Sequence, residues 1–175
     1  LSVHEAYAEI PLGDNWKVKA GRQELAYDNA RFLGNLDWAL QARAHDFALV
    51  KYEKGAKKFH LGAGYNQVKE TLVNQPYTLS NQYKTAQILR FENQWGSFKL
   101  SVLFWNNGLA QLTYDTLGTV TDEAVRYSQT LGIPTLQYEM GHFTFSGFYY
   151  VQIGRDITNK KVKAFDLSAQ ATHKI

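Results

Sequence analysis

Five tight turns built on small or polar residues recur along this chain. Each joins two runs in which apolar and polar residues alternate, and the apolar positions beside the turns are repeatedly aromatic. The turns are Gly13-Asp14-Asn15, Gly55-Ala56-Lys57, Gly96-Ser97, Gly141-His142 and Thr158-Asn159-Lys160. Glycine and asparagine tolerate the positive φ that a close chain reversal needs, so each turn marks a hairpin. A chain punctuated in this way is constrained to antiparallel sheet.

Successive side chains of a strand point to opposite faces, so each strand can be split by parity. Phe59, Leu61, Ala63 and Tyr65 form one face, as do Phe98, Leu100, Val102 and Phe104, and Phe143, Phe145, Gly147, Tyr149, Val151 and Ile153. The alternate positions, His60, Gly62, Gly64, Asn66, then Lys99, Ser101, Leu103, Trp105, then Thr144, Ser146, Phe148, Tyr150 and Gln152, are polar or small with occasional large rings. One face is apolar and the other is mixed.

In all three strands the end aromatics of the apolar face lie six residues apart. At about 3.3 Å per residue and a tilt near 40°, that separation is roughly 15 Å along a barrel axis, which suits two aromatic belts bounding an apolar band. Trp16, Tyr52, Trp95 and Tyr138, next to the same turns, share the outward parity. In a soluble sandwich a ring beside a turn is ordinarily a core residue, but a sandwich has no reason to place rings at constant height on so many strands.

A coarse reading expects nine strands near 3–12, 16–24, 43–54, 58–69, 83–95, 98–107, 126–140, 143–154 and 161–173, forming one domain over 1–175. Short turns alternate with longer connections near 25–42, 70–82 and 108–125, and the last connection, 155–160, is again short. This asymmetry is that of an all-β, antiparallel up-and-down transmembrane barrel with short periplasmic turns. Nine is an odd number, so the chain is expected to form roughly half of a barrel of about 16–18 strands. Pro134 cannot donate to a ladder, and the strand around Gly132-Ile133-Pro134 is therefore expected to be bulged.

Composition excludes less. A content of 45% hydrophobic and 14% aromatic residues rules out disorder. No run approaches the roughly 18 apolar residues of a membrane helix, whereas alternating strands escape a window average. The net charge of +3 is small and dispersed, and no basic run is interleaved with aromatics, so nucleic acid is not an expected partner. The absence of cysteine fits an envelope protein and many others. Leu1 is not preceded by a basic segment leading into an apolar core, so an export signal, if one existed, is expected to have been removed.

The densest chemistry lies between Gly21 and Asp46. Arginines, carboxylates and aromatics alternate there in the order Gly21-Arg22-Gln23, Leu25, Tyr27-Asp28, Arg31, Phe32-Leu33-Gly34-Asn35, Asp37-Trp38, then Arg43 and Asp46. One reading is a self-satisfied loop in which Arg22, Arg31 and Arg43 pair with Asp28, Asp37 and Asp46. Another is that these pairs hold guanidinium groups in a pore.

Over roughly residues 16–54 this pattern resembles the alginate-export family of outer-membrane β-barrels, and the other hairpins agree in general character. The resemblance implies a barrel of about eighteen strands whose lumen passes an anionic polysaccharide across the outer membrane of a Gram-negative cell. It also implies that Arg22, Arg31 and Arg43 line the pore with Asp28, Asp37 and Asp46 as counter-charges. Inward parity adds Lys17, Lys19, Lys84, Arg90 and Lys99, and it also brings Glu5, Glu9, Glu53, Glu92, Glu139 and Asp166 to the same side. A lumen of mixed sign leaves the solute open.

The expected function is therefore a channel for hydrophilic, anionic solutes or polysaccharide, with the lipid bilayer as its surroundings. The alternative is a plugged structural barrel that binds a partner protein. No nucleophile motif or acid–base trio is present, and catalysis is not expected. His4, His45, His60, His142 and His173 lack metal-ligand spacing, so neither a metal nor another cofactor is expected.

Overall fold

The computed structural model describes residues 3–28, 30, 32–34, 44–67, 76–78 and 82–174. Within them the chain is a single antiparallel sheet of nine strands in sequential order, with no helix. The strands are β1 (Ala6–Pro11), β2 (Trp16–Gln23), β3 (His45–Lys54), β4 (Lys57–Tyr65), β5 (Thr85–Trp95), β6 (Phe98–Tyr114), β7 (Val120–Met140), β8 (Phe143–Arg155) and β9 (Lys161–His173). Neighbours pair only with neighbours, and β1 is not joined to β9, so the sheet is open along both edges.

All five expected turns form, and each contains a left-handed residue. Gly13, Gly55, Gly96 and Gly141 lie at φ 127°, 58°, 56° and 57°, and Asn159 at 65°. The first four turns lie on one rim and the fifth on the other, because strands alternate in direction.

The expected long connection at 108–125 is instead mostly strand. β6 and β7 continue as a paired hairpin, with Ala110 opposite Val125 and Leu112 opposite Glu123, and close in a tight turn over 115–119. The Asp115 carboxylate accepts from the Leu117 and Thr119 backbone amides at 2.9 and 2.8 Å, and Gly118 adopts φ 80°. This local turn chemistry lets alternation persist where a loop was expected. The fourth strand ends at Tyr65, four residues short of expectation, and most of the 70–82 connection lies outside the described residues. The expected irregularity at Pro134 is present: the β7–β8 register skips between Gly132 and Thr135, leaving the proline out of the ladder.

The register has a regular stagger. One row across the sheet runs Lys17, Lys51, His60, Arg90, Leu103, Gly132, Tyr150. Measured from the strand end at the short-turn rim, Lys17 lies one residue from Trp16, Lys51 three from Lys54, Arg90 five from Trp95 and Tyr150 seven from Phe143. The row climbs two residues per hairpin, or one per strand. With about 3.3 Å of rise and 4.8 Å between strands, the strands lean about 35° against that rim.

The sheet is also curled. Phe47 of β3 and Trp105 of β6 are three strands apart, yet their rings stack with centroids 5.7 Å apart. On a flat sheet the backbones would be separated by roughly 14 Å. Gly62 and Gly64 on the intervening β4 permit this approach, because a Cβ at either would run into the side chain of Leu49 or Phe47. Around the stack gather Leu49, Tyr83, Ile88, Leu103, Phe148 and Tyr150, with Leu25 and Leu33 from the β2–β3 connection.

The convex face is apolar yet uncovered, whereas the concave face mixes the aromatic cluster with buried polar groups. Trp16, Val18, Val50, Tyr52, Phe59, Leu61, Leu89, Phe91, Leu100, Val102, Phe104, Tyr138, Phe143, Phe145 and Tyr149 share the convex face. No described segment covers them, and on β9 Phe165 and Leu167 are 74% and 68% exposed. Polar Arg90, Ser101, Glu92 and Ser128 face the concave side and are buried, Arg90 to 4% and Ser101 to 2%. On the convex face the apolar stretch ends six to eight residues from the short turns, at Arg22, Asp46, Gln87 and Asn106. At the lean of these strands its height is roughly 20 Å.

Candidate functional site on the inner face

The inner face of β1–β6 carries a continuous charged network. Lys17 of β2 lies 3.4 Å from Glu9 and 3.0 Å from Glu53, and Lys51 of β3 reaches the same two carboxylates at 3.7 and 3.5 Å. Glu53 also lies 3.0 Å from His60 Nε2, whose Nδ1 lies 3.0 Å from the Tyr27 hydroxyl. A carboxylate can only accept, so in the neutral ring Nε2 donates to Glu53 and Nδ1 accepts from Tyr27. Farther across, Glu92 receives Lys58 and Lys99 at 3.1 Å each and Arg90 at 2.6 Å.

Arg90 joins this wall to the β2–β3 connection. Its Nη2 donates to Asp28 at 2.7 Å, its guanidinium lies 4.8 Å over the Tyr27 ring, and the Ser101 hydroxyl donates to the same Asp28 oxygen at 2.5 Å. Asp28 itself adopts φ 55°. Just beyond, the Phe32 ring lies 6.1 Å from both Trp105 and Tyr150. The described part of the connection therefore turns inward, held by Asp28 through Arg90 and Ser101 and by Phe32 through Trp105 and Tyr150. A cavity of about 300 Å³ remains beside it, lined by Lys19, Lys51, Glu53, Lys58, Arg90 and Lys99 among others.

The residues expected to form the site are distributed differently. Lys19 and Arg90 face inward, Lys19 lying 3.6 Å over the Tyr7 ring. Asp28 is a counter-charge to Arg90. Arg22 pairs with Asp46 in a two-point contact at 3.0 and 2.9 Å. Both sit on the parity of Trp16 and Val18, so this pair belongs to the convex face at the edge of the apolar stretch, not to the concave wall. Arg31, Arg43 and Asp37 lie outside the described residues. Lys51 and Lys58 were missed, although the parity that placed Glu53 inward places them there too.

Across β6–β9 the inner face changes character. Ser101, Thr135, Gln137, Ser146, Ser168 and Gln170, with Phe148, line a groove of about 740 Å³ that meets the charged wall at Asp28 and Lys99. Away from the groove, Lys84, just before β5, forms an ion pair with Glu123 of β7. Among the described residues no group of three or more His, Asp or Glu side chains could hold a metal ion. No family model, curated protein or solved structure matches this chain.

Proposed function

We propose that this sheet is part of the wall of an outer-membrane β-barrel of a Gram-negative cell, and that hydrophilic solutes pass along its concave face. The observation that carries the reading is the apolar convex face, which no described segment covers. A single-layer sheet with so extended an uncovered apolar side calls for an apolar surrounding, and hydrocarbon supplies one along the whole of a barrel wall. The lean of about 35° and the apolar height of roughly 20 Å support it, since barrel strands tilt 35–45° around an apolar band of about 25 Å.

Lipid leaves no unpaired edge, so β1 and β9 each need a strand beside them. Both run toward the short-turn rim, and antiparallel closure therefore requires an odd number of further strands. The total of about 16–18 strands, the short turns as the periplasmic rim and the kinship to the alginate-export family belong to this proposal.

The solute preference follows from charge. Around the cavity Lys17, Lys19, Lys51, Lys58, Arg90 and Lys99 face Glu9, Asp28, Glu53 and Glu92, a local excess of cations that favours anions weakly there. Elsewhere on the same face Glu5, Glu139 and Asp166 offset it. Cations already held by carboxylates act as many weak sites in series, which suits passage more than capture.

The test is ion current through the protein reconstituted in planar bilayers. Stable channels that prefer anions, and lose the preference in Lys51→Gln/Lys58→Gln, are expected. The second reading, a plugged barrel, draws on the inward-turned segment anchored by Asp28 and Phe32. It would appear as an intact membrane protein without current. Extraction by salt alone, without detergent, would remove both.

A further inference from the structure

The charged wall and the neutral groove differ in how much bonding capacity remains unspent. In the charged wall Lys17, Lys51, Lys58, Arg90 and Lys99 each already hold a carboxylate within 3.7 Å. An incoming anion would have to displace those partners.

In the groove the arrangement is reversed. The Ser146 and Ser168 hydroxyls and the Gln170 amide line it from adjacent strands β8 and β9, and none of them bonds to another side chain among the described residues. Register places Gln137, Ser146 and Gln170 in one row, with Thr135, Phe148 and Ser168 in the next. The Gln137 amide already donates to Glu139, and Ser146, Ser168 and Gln170 offer the remaining donors and acceptors, without net charge and in two tiers, beside the buried ring of Phe148. Hydroxyls and amides match a ligand that itself carries many hydroxyls. The volume of about 740 Å³ lies within the range of ordinary ligand sites.

We propose that the groove across β6–β9 binds an uncharged, hydroxyl-rich chain of the saccharide class, and that it is the part of the wall that selects a solute. The inference rests on the pore reading for its role in passage, though not for binding itself.

The experiment measures binding and current together, on the protein in lipid, with two hexasaccharide probes. Maltohexaose is neutral and oligogalacturonate is anionic. Maltohexaose is expected to bind by calorimetry and to reduce the ion current. Ser146→Ala/Ser168→Ala/Gln170→Leu is expected to weaken that binding roughly tenfold or more, as the loss of two or three ordinary hydrogen bonds requires. Because these side chains bond to no other, the variant should keep its unfolding midpoint. Should it fail to fold, Gln170→Leu alone, on the open edge strand, serves with a smaller loss. Current without maltohexaose binding would overturn the inference and leave the pore standing. Binding without current would uphold the groove and sink the pore. Tighter binding of oligogalacturonate than of maltohexaose would overturn the inference outright.

Discussion

The β1–β5 and β6–β9 halves of this sheet share one outer face and differ on the inner one. Leu61 on β4 and Phe145 on β8 do the same work outside, presenting apolar surface with little else to touch. Inside, a charged network runs from Glu9 across the first half to Lys99 at the start of β6, and the rest of the second half is hydroxyls and amides around Phe148. The difference shows where each kind of constraint lies. On the pore reading we propose, the outer face answers to one uniform surrounding, whereas the inner face answers to neighbours within the protein and to a passing solute, and it varies from strand to strand.

The largest break in that comparison should come from Arg90. Buried and shared between Asp28 and Glu92, it cannot be removed without stranding two carboxylates. Arg90→Met should cost about 3–5 kcal/mol by urea unfolding from lipid vesicles. Gln170→Leu in the neutral half should change the midpoint by less than about 0.5 kcal/mol. Equal losses would erase the distinction between the halves.

The uniformity of the outer face can be tested next. Val102→Arg, midway along the apolar stretch of β6, should destabilise by about 2–4 kcal/mol in lipid. An unchanged midpoint would mean that this face meets water. A smaller effect is expected for Arg22→Gln, because its pair with Asp46 has both side chains 44% exposed. The loss should stay below about 1 kcal/mol, and ion selectivity should not move, since the pair is on the convex side. A change of selectivity would return Arg22 to the lumen.

The smallest effect concerns the β8–β9 turn. The Thr158 hydroxyl and the Thr158 and Lys160 amides donate to the Asp156 carboxylate, and this holds it below its ordinary range. A depressed carboxyl stabilises the fold above its unfolded value and loses that contribution as pH falls through the folded one. Protection of the Thr158 and Lys160 amides, taken against their intrinsic exchange rates, should therefore fall at acid pH, while that of the Gly96-Ser97 turn, which lacks such a carboxylate, stays constant. Asp156→Ala should abolish the difference at neutral pH.

Much of this was legible in the residue order, and the failures are instructive. Strand number, the five turns and the outward rings follow from period-two alternation and from glycine or asparagine at reversals. The same parity already put Arg22 beside Trp16 and Val18. Motif resemblance pointed it inward, and counting along the strand was the better guide. The Asp28–Arg90 pair was not legible, because its partners are 62 residues apart and belong to different elements. Nor was the aromatic cluster, since the meeting of Phe47 with Trp105 depends on how tightly the sheet curls over Gly62 and Gly64.

The residue order by itself determined that the chain pairs as consecutive hairpins and which side chains share a face, because strand periodicity and turn conformation are local properties. Tertiary structure alone decided the stagger of one residue per strand, the curl that buries charge on the concave side, and which carboxylate neutralises which cation. Those depend on contacts between strands far apart in sequence, and no local rule encodes the distance across a curved sheet.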